Sequence, residues 1–310
     1  MQSKNNWKAW LYLAPTLILM AVFTFYPLIN TIGISFLKQY NYATQSSQGF
    51  SFDNYKIVLG LIPYSARSDA RELDVINYAI PNTLIIVFVT VPISVILSLV
   101  ISIALNKIPA MQKFFQTIFF LPYVTNTIAI GMVFGVIFSN TGVFNYLFGL
   151  GNKFWVTKSA SRWSGMFALC VYIIWQSLPY KILIFSSGLQ GIDKQYYDAA
   201  RIDSAPKWKV ISKITVPLLS PQILYITITS FIGAFKEYDS VAGLFENASS
   251  TGNKNNPNMY TIVYYIYDQL SSNGANGQIG WAAAAAVMLF AVILVFTAIE
   301  MEIAKKRVHY

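Results

Sequence analysis

Few side chains in this 310-residue sequence are suited to covalent chemistry. The lone histidine, His309, stands beside the C-terminus, and the lone cysteine, Cys170, sits inside an apolar run. One cysteine supports neither a disulfide framework nor a thiol metal cluster, so no metal site is expected. No G-x-x-x-x-G-K-[ST] occurs, so the sequence lacks the backbone loop that cradles nucleotide phosphates. What it does carry is polar groups set into hydrophobic sequence: Asn126 between Thr125 and Thr127, Trp175 beside Gln176, and the consecutive Lys236, Glu237, Tyr238 and Asp239. Polar groups in such runs are costly and tend to face a bundle interior or a water-filled path. An aromatic face with planar amides nearby is equipment for holding a hydroxyl-rich solute, with C–H surface on the ring and hydroxyls on the amides.

The elements that position these groups are apolar runs. With 55% hydrophobic and 11% charged residues, the chain is too apolar for an ordinary soluble domain. Runs of about 20 residues cross a hydrocarbon core of about 30 Å, and six are predicted, at 10–36, 80–105, 114–138, 163–188, 222–243 and 281–304. The first is too long for a removable signal peptide and lacks a small-residue cleavage site, so it reads as a retained span. If both ends face the cytoplasm, the inner segments hold twelve Lys and Arg in 55 residues and the outer ones eight in 104. That asymmetry follows the positive-inside rule and predicts an all-α polytopic protein with six spans, N-in and C-in. It also turns the formal net charge of +9 from a hint of nucleic acid into a topology signal. On a continuous helix Asn126 lies about mid-membrane, and Lys236, fifteen residues past Pro221, about 22 Å along the fifth span. The 236–239 group would line the outer part of a path, or pair internally, or end the helix with Lys236 reaching for headgroups. Trp7, Trp10, Tyr40 and Trp281 read as interfacial anchors. The run WAAAAAVM at 281–288 suggests close helix packing, and ENASSTGNKNNPN at 246–258 an exposed loop.

Residues 196–221, YYDAARIDSAPKWKVISKITVPLLSP, are the exception to this greasiness, and the charge asymmetry makes them cytoplasmic. The spacing predicts two short helices and a tight turn, with Ser204 as N-cap, Pro206 in the first turn of the second helix, and Trp208, Ile211 and Ile214 along one side. Paired Ala199 and Ala200 suit close docking by another protein. An amphipathic connector on the bilayer surface accounts for the same composition.

This stretch resembles the EAA signature of permease subunits in binding-protein-dependent ABC importers. Asp198 stands where the family usually has Glu, followed by Ala199, Ala200, Asp203, Ala205, Ile214 and Pro217, and Ser204 replaces the usual Gly. LYLAPTLILMAVFTFYPLINTIGISF, FFLPYVTNTIAIGMVFGVIF and FIGAFKEYDSVAGLF are similar to the first, third and fifth spans of the carbohydrate-uptake group, the permeases for maltose, raffinose-type sugars and glycerol 3-phosphate. The resemblance covers nearly the whole chain, as a single transmembrane domain over 1–310. It implies a coupling helix between spans 4 and 5 within an EAA-like segment at 194–221. Asp198, Ala199, Ala200, Asp203, Ser204 and Ala205 would dock on a cytoplasmic ATPase. It further implies a second, related permease, two ATPase copies that use ATP and Mg, an external substrate-binding protein, no cofactor on this chain, and a bacterial or archaeal cytoplasmic membrane. The chain would be a transport subunit and not an enzyme. The rival reading, an ion-coupled secondary transporter, would show internal repeats or buried carboxylates in broken helices, and neither stands out in the sequence.

Overall fold

Proline sets the local rhythm of the helices. The computed structural model describes residues 6–62, 75–108, 114, 117–119, 123–157, 160–245, 259–271 and 278–305. Among them, three π-helical turns, Ala21–Phe25, Val75–Ala79 and Ile211–Thr215, each end two residues before a proline: Pro27, Pro81 and Pro217. Proline offers no N–H to the carbonyl four residues back, and its ring crowds that carbonyl. Widening the turn ahead of it, so that the Tyr26 N–H reaches Ala21 and the Val216 N–H reaches Ile211, keeps the chain helical through the proline.

Contacts divide the chain into two units, residues 1–73 with 265–290 and residues 74–264 with 291–310. In the first, α1 (Asn6–Met20), its π turn and α2 (Tyr26–Ser35) make one apolar span over Trp10–Ser35, of which the most apolar stretch is entirely unburied. A loop held by the bridges Leu37–Phe50 and Asn41–Ser46 leads to α3 (Asp53–Val58). Phe36 stacks on Phe50 and meets Phe52 edge-on, while buried Asn54 donates to the carbonyls of Ser35 and Leu37, 2.9 Å each. Ala282, Ala283, Ala284 and Ala285 are all buried, as their small size allows.

In the second unit α4 (Ile80–Leu105) packs most extensively against α7 (Arg162–Gln190), with α5 (Thr127–Ile137) and α6 (Val143–Phe148) between them in sequence. The chain continues through α8 (Lys194–Ile202), α9 (Lys207–Val210) and α10 (Val216–Leu218) to α11 (Ser220–Phe235), which packs on α4, and α12 (Asp239–Leu244), which packs on α5. α13 (Ile262–Ser271) lies in the first unit from residue 265 on, and α14 (Gln278–Lys305) belongs to the first unit up to residue 290 and to the second from 291. Ile86, Leu169, Tyr172 and Phe138 anchor the core, and Phe88, Phe231 and Phe296 interlock α4, α11 and α14.

Among the described residues, Trp10–Ser35, Val75–Leu105, Arg162–Gln190 and Ile279–Lys305 are long and apolar enough to cross a membrane, and the pair Lys207–Leu218 and Ser220–Phe235, bent by 68°, allows a fifth. The continuous helices expected at 114–138 and 222–243 do not form. In the first, Asn126 is extended (φ −60°, ψ 126°) and its side-chain oxygen accepts the Ala129 N–H, so α5 starts there and runs only 11 residues. Asparagine competes for the backbone in this way, which makes it a strong N-cap. In the second, α11 stops at Phe235 and a three-residue break precedes α12. The break is satisfied locally: Glu237 Oε1 accepts the Ser240 N–H at 3.0 Å, and the Glu237 carbonyl accepts the Thr261 hydroxyl at 2.9 Å.

Candidate functional site

The segment between α7 and α11 folds as a helix, a turn and a second helix. Asp193 caps α8, its carboxylate accepting the Gln195 N–H at 3.0 Å. α8 ends in a Schellman motif: the Ala205 N–H reaches the Ala200 carbonyl at 2.9 Å, the Ser204 N–H reaches Arg201 at 3.0 Å, and Ser204 sits left-handed at φ +50°. The motif explains why glycine is at home in this position and why Ser204 is strained in it. Ser204 is therefore not the N-cap expected of it. Pro206, extended at φ −64° and ψ 144°, holds the cap position of α9, one residue ahead of the first turn in which it was expected. Small side chains at Ala200 and Ala205 let the two ends of the motif close.

Asp198, Ala199, Asp203 and Ser204 are exposed, while Ala200 is buried under the motif. Asp198 lies 3.7 Å from Arg201, an exposed pair one turn apart that contributes little by itself. Ile202 and Trp208 are 85% and 75% exposed, large apolar side chains presented to the outside on either side of the turn.

The polar groups buried in apolar sequence come together at the start of α5. Thr127, next to Asn126, accepts the Tyr172 hydroxyl at its carbonyl, and Gln176 Nε2 approaches its hydroxyl at 3.5 Å. Gln176 Oε1 is buried with no hydrogen-bond partner among the described residues. Trp175, one residue along, packs on Phe134 of α5 with ring centroids 5.3 Å apart and leaves 40% of its surface open. Asn126 itself is exposed. α12 crosses this same end of α5, where Gly243 meets Ile128 and Gly131 backbone to backbone. Both helix breaks thus border one packed crossing. Lys236 and Asp239 are exposed at the second break, and Tyr238 packs on Tyr264 with centroids 5.6 Å apart. Among the described residues no ion pair joins Lys236 to Glu237 or Asp239.

Lys181 stands out in the sequence as a charge within an apolar run, but its partners, and a group of tyrosines, escaped the sequence reading. Lys181, 6% exposed and nine residues before the end of α7, donates to the hydroxyls of Ser94 and, at 3.2 Å, Ser177. Ser94, Ser98 and Ser102 recur every fourth residue along α4, all buried, and Ser102 donates to the Ile182 carbonyl. That period is the signal that could have paired α4 with the lysine. The tyrosine group, Tyr123 stacked on Tyr180 and Tyr180 bonded to Tyr225 at 2.9 Å, ties α7 to α11. His309 and the loop at 246–258 lie outside the described residues.

A family model described as binding-protein-dependent transport system inner membrane component matches residues 75–310. The chain is 31% identical over 297 residues to an arabinooligosaccharides transport system permease protein, AraP, of Halalkalibacterium halodurans, covering 93% of this chain and 85% of that one. To a lactose transport system permease protein, LacF, of Rhizobium radiobacter it is 29% identical over 269 residues, 84% of this chain and 82% of that one. In fold it is similar to a chain of a bacterial ABC transporter involved in the import of the acidic polysaccharide alginate, with a TM-score of 0.73 at 21% identity, covering 98% and 96% of the two chains.

Proposed function

This chain belongs to the family of binding-protein-dependent transport system inner membrane components, and from that premise we propose that it is a permease subunit of an ATP-driven importer for a carbohydrate. It forms the transmembrane pathway with a second, related permease. Two cytoplasmic ATPases bind ATP and Mg, and an external binding protein delivers the solute. The membrane is a bacterial or archaeal cytoplasmic membrane, with both chain ends inside. The chain contributes six crossings, the third and fifth interrupted at Asn126 and at 236–238. Interrupted helices suit this task, because freed backbone groups and polar side chains are tolerated at membrane depth where they line a water-filled cavity. In this reading Asn126, Trp175, Gln176 and the 236–239 group border the path of the sugar, with the ring of Trp175 against its C–H surface.

The observation that carries the reading is the helix–turn–helix from α8 to α9. It leaves Asp198, Ala199, Asp203 and Ser204 exposed around a Schellman turn beside exposed Ile202 and Trp208, which is a docking face with an apolar anchor and a charged rim. An ATPase seated there transmits its closure to α7 and α11 and so biases a bistable packing of the spans.

The test is co-purification of the tagged chain from its native membrane, followed by ATPase turnover with candidate sugars and the binding protein. An ATPase and a second permease, with sugar-stimulated turnover, are expected. Asp198→Lys or Ala199→Trp should release the ATPase and leave insertion intact, while Asn126→Ala and Gln176→Ala should lower uptake with the complex intact. A chain that purifies alone, or Asp198→Lys and Ala199→Trp variants that assemble and transport normally, would refute the assignment.

A further inference from the structure

Within the second unit a cavity of about 840 Å³ opens between the ends of α4 and α7 and the inner side of the α8–α9 turn. Its walls are of two kinds. Ile103 and Leu189, near the last turns of α4 and α7, make an apolar side continuous with the spans. Lys107, Lys194, Arg201 and Lys207, each beyond the end of α4 or α7 in sequence, supply basic lining, with Val210 and Ile211 as further apolar residues. The one carboxylate in the lining, Asp198, is engaged with Arg201, and Lys107, Lys194 and Lys207 form no ion pair among the described residues. The neighbouring cavity across α8, about 630 Å³, differs in kind: Asp193 and Asp203 there balance Lys209 and Lys213. The charge imbalance therefore belongs to one cavity and is not a general property of this basic segment.

We propose that this cavity binds the phosphodiester headgroup of an anionic phospholipid. The ammonium groups of Lys107, Lys194 and Lys207 surround the phosphate and the acyl chains leave past Ile103 and Leu189. A soluble anion would match the basic residues alone, whereas an amphiphile matches both kinds of lining, with Ile103 and Leu189 on the spans themselves. Basic pockets between helix ends on the cytoplasmic side are where such headgroups are bound. The choice of leaflet rests on the orientation proposed above; the binding itself does not.

The experiment uses the full chain with whatever subunits accompany it, purified in uncharged detergent and delipidated. It is then equilibrated with mixed micelles of equal dioleoylphosphatidylglycerol and dioleoylphosphatidylcholine, and retained lipid is quantified by mass spectrometry. Enrichment of phosphatidylglycerol is expected, falling roughly fivefold for each lysine neutralised in Lys107→Gln and Lys207→Gln. Lys107→Arg with Lys207→Arg should preserve it. Equal retention of the two lipids, or a preference untouched by the double glutamine variant, overturns the proposal. So does displacement of the lipid by millimolar inorganic phosphate, which would make the site one for a soluble anion. Loss of the ATPase from the purified complex with lipid selectivity unchanged would count against the importer reading and leave this one standing.

Discussion

Gly131→Ala adds one methyl group at the crossing of α5 and α12, and the geometry leaves no room for it. A Cβ there would lie 2.6 Å from the carbonyl carbon and 2.7 Å from the Cα of Gly243. Carbon atoms rest at about 3.5–4.0 Å, so the intrusion is roughly 1 Å. The obstacle is backbone, which cannot rotate aside, so the two helices must part. A gap of 0.5–1 Å forfeits about a quarter to a half of each dispersion contact, and overpacking of this kind costs about 1–3 kcal/mol. Gly135→Ala on the same helix is the internal control, because nothing lies within 4 Å of a Cβ there. It gains the helix propensity of alanine, up to about 1 kcal/mol, without a clash. The assay is thermal and detergent unfolding of the purified chain for both variants, followed by a cycle with Gly243→Ala, whose Cβ would meet the Ile128 Cα at 2.9 Å. Gly131→Ala should destabilise, Gly135→Ala should not, and the double variant should lose less than the sum, since helices parted once need not part again. Equal stability of Gly131→Ala and Gly135→Ala, or strict additivity in the cycle, would refute the close crossing.

Ser204→Gly should stabilise the chain by about 1 kcal/mol by relieving the left-handed serine, and Ser204→Val should lose at least as much; thermal midpoints of the two variants check this. Ser94→Ala should cost about 1.5–3 kcal/mol, because it strips a hydroxyl acceptor from a buried ammonium, yet cost little in a Lys181→Met background, which a double-mutant cycle of unfolding free energies reads directly. In the loop after α2, a hydrogen bond from Lys38 to Asp53, 3.2 Å apart, together with one from Ser51, holds the Asp53 carboxyl below the usual aspartate value. Its stabilisation is therefore present above the unfolded value and lost as pH falls through the folded one. Limited proteolysis of that loop should quicken on acidification below about pH 4, and Lys38→Gln should weaken the pH dependence, leaving the part due to Ser51.

The helix–turn–helix of 194–210 was legible because its signals are local: alternating charge, paired alanines, and a serine–alanine–proline step that interrupts the helix. The long spans at 80–105 and 163–188 were legible because hydropathy over twenty residues is unambiguous. The interruptions were not. Apolar composition runs straight through Asn126 and up to Lys236, so each residue looked like a polar group carried on a helix. Asn126 in fact begins one, and Lys236 follows the end of another. What decides between these roles is backbone satisfaction, with Asn126 capping Ala129 and Glu237 capping Ser240, and hydropathy does not register it. Asn126, Thr127, Trp175 and Gln176 were singled out from depth alone, whereas the approach of Gln176 to Thr127 and the tyrosine group were not foreseen.

The contact between Lys181 and Ser94 gives the order of synthesis a physical meaning. A lysine at the centre of an inserting helix carries a penalty of about 2.5–3.5 kcal/mol, and Lys181, within α7 and only 6% exposed, carries a share of it. Its acceptor lies 87 residues upstream, so at roughly 5–20 residues per second Ser94 leaves the ribosome about 4–17 s earlier. When α7 reaches the bilayer, α4 is already lodged there with its serines available. A rearranged gene that delivered α7 before α4 would bring the charge to the membrane with nothing waiting to receive it.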